Sequence, residues 1–156
     1  MAVATAIKRG LADEALVARA IEVMTTLNAE GAEQARRARA HALTDVTGFG
    51  LLGHLHEMAE ASGLAAEVDA AAVPAIEGVM ELLADDAALA GGSRRNRADA
   101  DGFTTWASAV PEPVRRLVTD AMTSGGLLAA IPAGAAMEGW TVGRLVAGEP
   151  GTISVV

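Results

Sequence analysis

Cysteine is absent from this chain of 156 residues. That excludes disulfides, thiolate metal sites and a cysteine nucleophile within it, and it agrees with a cytoplasmic setting. Aromatic residues make up only 3%, so a core must be built from Ala, Leu, Val and Ile. Basic residues are few: 12 Lys and Arg stand against 20 Asp and Glu, for a net charge of −8. Such a chain repels nucleic acid phosphates, which argues against DNA or RNA as a partner. No apolar run approaches the roughly 18 residues of a membrane span, so no membrane partner is expected. The first ten residues, Met1 to Gly10, are too short and too weakly apolar for a signal peptide. They read like the middle of a domain, and the chain is expected to be a piece of a longer protein.

What is present is enough apolar material, 51% of residues, for the core of a single domain. Apolar positions from Leu16 to Leu27 follow a helical stripe across Asp13–Asn28, with Asp13 and Glu14 suited to its N-terminal end. A second helix is expected over Ala29–Ala40, a third over Gly50–Ala61 with Gly63 at its C-terminal end, a fourth from Pro74 to Leu83, and a short one over Pro111–Asp120. Strands are expected at His41–Asp45, Leu64–Asp69, Leu127–Ile131, Thr141–Val146 and Thr152–Val156. Asp85–Gly102, polar and rich in glycine, reads as a loop. The fold class is α+β (α/β mixed): one domain, with a mixed sheet of about four strands flanked by helices.

The run Leu43-Thr44-Asp45-Val46-Thr47-Gly48-Phe49-Gly50-Leu51-Leu52-Gly53-His54 carries most of the chemistry. It joins a strand to a helix through glycines, hydroxyls and one carboxylate. Gly48, Gly50 and Gly53 spell the dinucleotide-binding fingerprint, and Asp69 lies about 20 residues on, where that fingerprint wants an acid. An oxidoreductase domain is therefore one reading. Asp45 is its difficulty, because a carboxylate beside a pyrophosphate repels it unless a cation lies between. Mg²⁺ takes carboxylate and phosphate oxygens together, so Asp45 points to a metal–phosphate site. Gly48 and Gly50 would let backbone N–H groups approach oxyanions, and the helix N-terminus adds a favourable dipole. Thr44 and Thr47 offer hydroxyls. The simpler alternative is that Asp45 and Thr47 only cap the helix or close an Asx-turn.

The run Thr44–His54 closely resembles the C-terminal domain of selenophosphate synthetases (selenide, water dikinases), of the AIR-synthase-related superfamily. Further motifs follow in family order. Ala6–Ala12 and Met24–Asn28 resemble the family's linker and first helix. Gly91-Gly92-Ser93-Arg94-Arg95-Asn96 resembles its glycine–basic–Asn loop. Thr123-Ser124-Gly125-Gly126 resembles its glycine turn, and Gly148-Glu149-Pro150-Gly151 its closing turn. One departure is Asp120-Ala121-Met122, where the family usually has Asp-Pro-Gln.

The resemblance implies an AIR-synthase-like C-terminal domain over residues 1–156, with 1–10 as interdomain segment and the N-terminal catalytic domain outside the chain. It implies an ATP-dependent enzyme that makes selenophosphate from selenide and ATP with Mg²⁺, in which this domain covers the nucleotide cleft. The family's metal-binding Asp matches Asp45; Thr44, Thr47, Gly48, Gly50 and Asn96 are the implied nucleotide contacts. The family's nucleophile lies in the other domain, so no catalytic residue is expected here and no dikinase activity from this chain alone. Implied partners are the N-terminal domain and, in the full enzyme, a second copy forming a homodimer. Besides the oxidoreductase domain, a free-standing binding module without catalysis is the alternative.

Other residues carry weaker signals. His54 and His56 are two apart on a helix and point in different directions, so a shared metal is not expected; His54 reads as a hydrogen-bonding residue near the helix start. Arg94 and Arg95 could pair with phosphate or balance nearby acids. Gly125-Gly126 reads as a structural turn, and Trp106 and Trp140 as partial core.

Overall fold

The structure is a computed structural model and describes residues 2–156. Its first helix, α1 (Ala2–Lys8), occupies the stretch expected as an interdomain segment and buries Ala2, Val3 and Ala6. Helix α2 (Glu14–Thr25) starts as its sequence dictates: Asp13 is the N-cap, and its carboxylate accepts the Leu16 N–H at 2.8 Å. Helix α3 (Ala29–Arg37) follows, then strand β1 (Ala42–Asp45). Helix α4 (Gly50–Ala61) matches its sequence reading. Gly63, at φ +66°, ends it, and the Gly63 and Leu64 N–H groups bond back to the Glu60 and Ala59 carbonyls at 3.0 and 2.9 Å. That is the double closure that a left-handed glycine after a helix allows.

Strand β2 (Ala65–Val68) leads to helix α5 (Val79–Ala84). Here the expected helix from Pro74 is shorter, because Gly78 sits at φ +82° immediately before Val79 and breaks the right-handed path. The expected loop 85–102 is corrected too. It contains a short 3-10 turn (Asp86–Ala88) and a full helix, α6 (Gly91–Ala100). Strand β3 (Thr104–Trp106), helix α7 (Glu112–Thr119) and strands β4 (Leu127–Ala130), β5 (Gly143–Val146) and β6 (Ile153–Val155) complete the chain. Residues 132–139 form turns, not the one or two helical turns their length would allow.

The sheet expected to hold about four strands has four, in the order β3-β6-β2-β5, with β6 parallel to both neighbours and β5 antiparallel to β2. Strands β1 and β4 stand apart as an antiparallel pair, with Asp45 opposite Leu127. The fold is α+β. One apolar cluster lies between the sheet and helices α4 and α7, with Leu52, Val68, Val118, Ile153 and Val155 almost wholly buried. A second, of Ala2, Val3, Ala20, Val79, Leu83 and Leu89, joins α1, α2 and α5. Trp106 is half-buried, whereas Trp140, expected as partial core, is 72% exposed because it lies in the loop leading to β5. Among the described residues no helix is long and apolar enough to cross a membrane.

Candidate functional site

The turn from β1 into α4 is fixed at its backbone. Beyond Asp45, the Val46 N–H donates to the Gly126 carbonyl at 2.9 Å, and the Gly125 N–H returns to the Val46 carbonyl at 3.1 Å. A Cβ on Gly125 would lie 2.3 Å from that same carbonyl oxygen, so the Thr123–Gly126 turn presses directly on the motif. The Thr47 carbonyl accepts two N–H groups, from Gly50 at 2.9 Å and Met122 at 3.0 Å. The Gly48 carbonyl accepts the Asn96 amide at 2.8 Å, and the other Asn96 bond goes to the Thr119 carbonyl at 3.2 Å. Asn96 thus ties α6 and the end of α7 to the glycine turn.

The three glycines of the motif do three different things. Gly48 is exposed, with nothing near the position of an added Cβ. Gly50 is buried at φ +71°, and a Cβ there would stand 2.9 Å from backbone atoms of Thr119 and Asp120. Its N–H is already bonded within the turn. A Cβ on Gly53 would meet the Phe49 Cβ at 2.6 Å, inside its own helical turn. Only Gly48 therefore has the open surroundings that a ligand could approach.

Asp45 is exposed at the end of β1. Strand alternation puts Thr44 on the other face, where it lines a cleft of about 250 Å³ between β1 and α4 together with His54, Glu57 and Met58. The structure thus gathers Asp45, Thr47, Gly48, Gly50 and Asn96 around one turn and turns Thr44 away. His54 bonds as expected: its Nε2 is 3.0 Å from Thr47 Oγ1. The ring is 9% exposed and tilted against Phe49, whose own ring is 58% exposed. His56 faces elsewhere, bonding the Gly151 carbonyl at 2.8 Å and stacking on Phe103.

Asp120 stands out in the sequence only for its departing neighbours. It is 4% exposed, and its carboxylate accepts the Ala2 N–H at 2.8 Å and the Ser93 hydroxyl at 2.5 Å. No local pattern marks this, because the partners lie far away in sequence. Arg94 and Arg95 are exposed, and Arg94 donates to the Asp86 carbonyl at 2.8 Å. Arg97 pairs with Asp101 and stands 4.9 Å from the Trp106 ring centre. Burial would raise the Asp101 carboxyl, but hydrogen bonds from Arg97 and the Trp106 indole outweigh it and hold Asp101 below its ordinary range.

The donor set at the turn is one carboxylate flanked by hydroxyl and backbone groups. Among the described residues no cluster of three or more His, Cys, Asp or Glu side chains could hold a metal. Asp45 therefore fits a hard cation only as one ligand among several supplied from elsewhere, as Mg²⁺ bridging to phosphate oxygens allows. The dinucleotide fingerprint loses its context. It needs β1 and the next strand parallel in one sheet, but β1 and β2 lie in different sheets. Asp69 caps a 3-10 turn by accepting the Ala71 N–H at 3.0 Å.

The sequence matches the profile of a family described as "AIR synthase related protein, C-terminal domain" over residues 1–152. It is 39% identical to a selenide, water dikinase of Myxococcus xanthus over 160 residues, covering 94% of this chain and 45% of that protein. It is 42% identical to a selenide, water dikinase of Pseudomonas straminea, covering 79% and 34%, and 45% identical to one of Escherichia coli K12, covering 72% and 31%. The chain thus spans less than half the length of these curated relatives.

Proposed function

The chain belongs to the AIR synthase related C-terminal-domain family, and on that premise we propose that it is the cleft-covering part of a cytoplasmic selenide, water dikinase, which makes selenophosphate from selenide and ATP. The observation that carries this reading is the placement of Asp45. It is an exposed carboxylate at the mouth of a turn whose backbone is bonded on every side to α4, α6 and the Gly125–Gly126 turn. Such a turn holds its carboxylate still while leaving it open to a ligand.

Mg²⁺, when bound, neutralises charge on the transferring phosphoryl group. The residues of this chain supply the rest. Asp45 offers one hard oxygen ligand. Thr47 contributes its side-chain oxygen and Gly48 an unobstructed backbone, at the uncapped N-terminal end of α4. Asn96 holds the Gly48 peptide in place, and Gly50 lets the turn pack tightly. Thr44 contributes from the opposite face of β1, toward α4. The nucleophile, the remaining metal ligands and most contacts of a homodimer belong to the preceding domain in this reading. The chain by itself is inactive.

The test is Asp45→Ala in the enzyme joined to that domain. Expected is loss of Mg²⁺-dependent ATP turnover with an unchanged melting temperature. Unchanged turnover would sink the role given to Asp45.

A further inference from the structure

The Thr47 hydroxyl has one proton, and the surroundings of the His54 ring bear on where it goes. His54 Nε2 lies 3.0 Å from Thr47 Oγ1. On the other side of the ring, the Glu57 carboxylate stands 3.6 Å from Nδ1. That exceeds hydrogen-bond length, yet a carboxylate facing a ring lone pair repels it and favours a proton on Nδ1. A neutral imidazole with its proton on Nδ1 has an acceptor at Nε2. The Thr47 hydroxyl must then donate into the ring. Its lone pairs are what remain for any ligand of the turn. The ring is 9% exposed and packed against Phe49, so it is held in one place to do this.

We propose that His54 is a positioning residue that fixes the direction of the Thr47 hydroxyl proton. Thr47 thereby meets its ligand as an oxygen acceptor, suited to a divalent cation or a water bound to one, and not as a donor to a phosphate oxygen. Two acceptor oxygens facing each other repel, whereas a hard cation takes carboxylate, hydroxyl and phosphate oxygens together. The nature of the ligand rests on the polyphosphate reading of the turn; the direction of the hydroxyl does not.

The experiment uses this chain, ¹⁵N-labelled, with its histidine ring nitrogens observed at pH 8, where an ordinary imidazole is neutral. His56 is the internal reference, because its Nδ1 faces the Gly151 carbonyl and must carry a proton. The expected result is an unprotonated Nε2 on His54 that moves in Thr47→Val and returns in Thr47→Ser. A proton on Nε2, or a resonance that ignores Thr47→Val in a folded chain, overturns the proposal. Glu57→Gln should raise the Nε2-protonated share at least about twofold; no rise removes the part given to Glu57. In the enzyme joined to the preceding domain, Mn²⁺ with ATP should then bind about fivefold more weakly to Thr47→Val than to wild type, the worth of one polar contact. Equal affinities overturn the acceptor role. Absence of any Mn²⁺ effect near Thr47 in that joined wild-type enzyme overturns the polyphosphate reading while the tautomer result stands.

Discussion

The turn between β1 and α4 is held by backbone atoms, whereas helix α6, packed beside it, is held by side chains. In the turn, Val46, Thr47 and Gly50 exchange N–H and carbonyl bonds with each other and with Met122, Gly125 and Gly126. Gly50 and Gly125 are required because other backbone lies where a Cβ would be. In α6 only Ser93 and Ala100 are buried, and the helix has no apolar stripe. Ser93 reaches Asp120, Asn96 reaches two carbonyls, and Arg97 reaches Asp101 and Glu112. A backbone lock fails abruptly when one atom is added, because carbonyls cannot move independently. A side-chain lock loosens one bond at a time.

The largest test of that contrast is Gly125→Ala. Its Cβ would stand 2.3 Å from the Val46 carbonyl oxygen, so a loss of about 3 kcal/mol is expected, or roughly 6–12 °C in melting temperature for a domain of this size. Calorimetry showing no shift would break the claim that the turn is sterically locked. Next comes Asn96→Ala, which frees the Gly48 and Thr119 carbonyls. A loss of about 1–2 kcal/mol in denaturant unfolding is expected, with faster amide exchange around Gly48. A loss as large as that of Gly125→Ala would erase the distinction between the two regions.

The smallest effect concerns pH. Asp101 is held below its ordinary value by Arg97 and Trp106, so its pairing stabilises the fold above the ordinary aspartate range. That contribution is lost as pH falls through the lowered folded value. Since Asp101 is 53% exposed, the effect should stay below about 1 kcal/mol. Comparing Asp101→Asn with wild type at neutral and acid pH measures it. The gap between the two should narrow as the pH drops, and a gap that widens would reverse the assignment. Glu33 is pulled down to about 2 by hydrogen bonds from Arg36 and Arg37. Its pairs with Arg36 and Arg37 lie at the surface, where ion pairs contribute little, so Glu33→Gln is expected to leave the melting temperature unchanged.

The same contrast explains what the sequence could reveal. Gly50–Ala61 is legible because an apolar face recurs at helical spacing and Gly63 closes it. Asp13 is legible because a cap acts on residues three places on. Helix α6 is hidden because its stabilising partners, Asp120, Gly48 and Thr119, are distant in sequence and polar, so Gly91–Ala100 carries the composition of a loop. β3 is hidden because three residues at a sheet edge give no alternation to read. At the site, Asp45, Thr47 and Gly48 stand out as a motif. Gly50 looks like one more ligand-approach glycine, yet its need comes from the Thr119–Asp120 backbone, some 70 positions later in the chain. The facing of Thr44 away from Asp45 follows from strand alternation and was within reach.

The bond from Ala2 to Asp120 has a mechanical side. Asp120 grips the start of α1, while the carbonyl of Thr119, one peptide bond away, takes the Asn96 amide that also steadies Gly48. The first described peptide of the chain and the mouth of the turn are thus fastened to opposite ends of a single dipeptide. Tension applied at residue 2 would thus be passed through Asp120 and Thr119 toward the turn that carries Asp45 and Gly48.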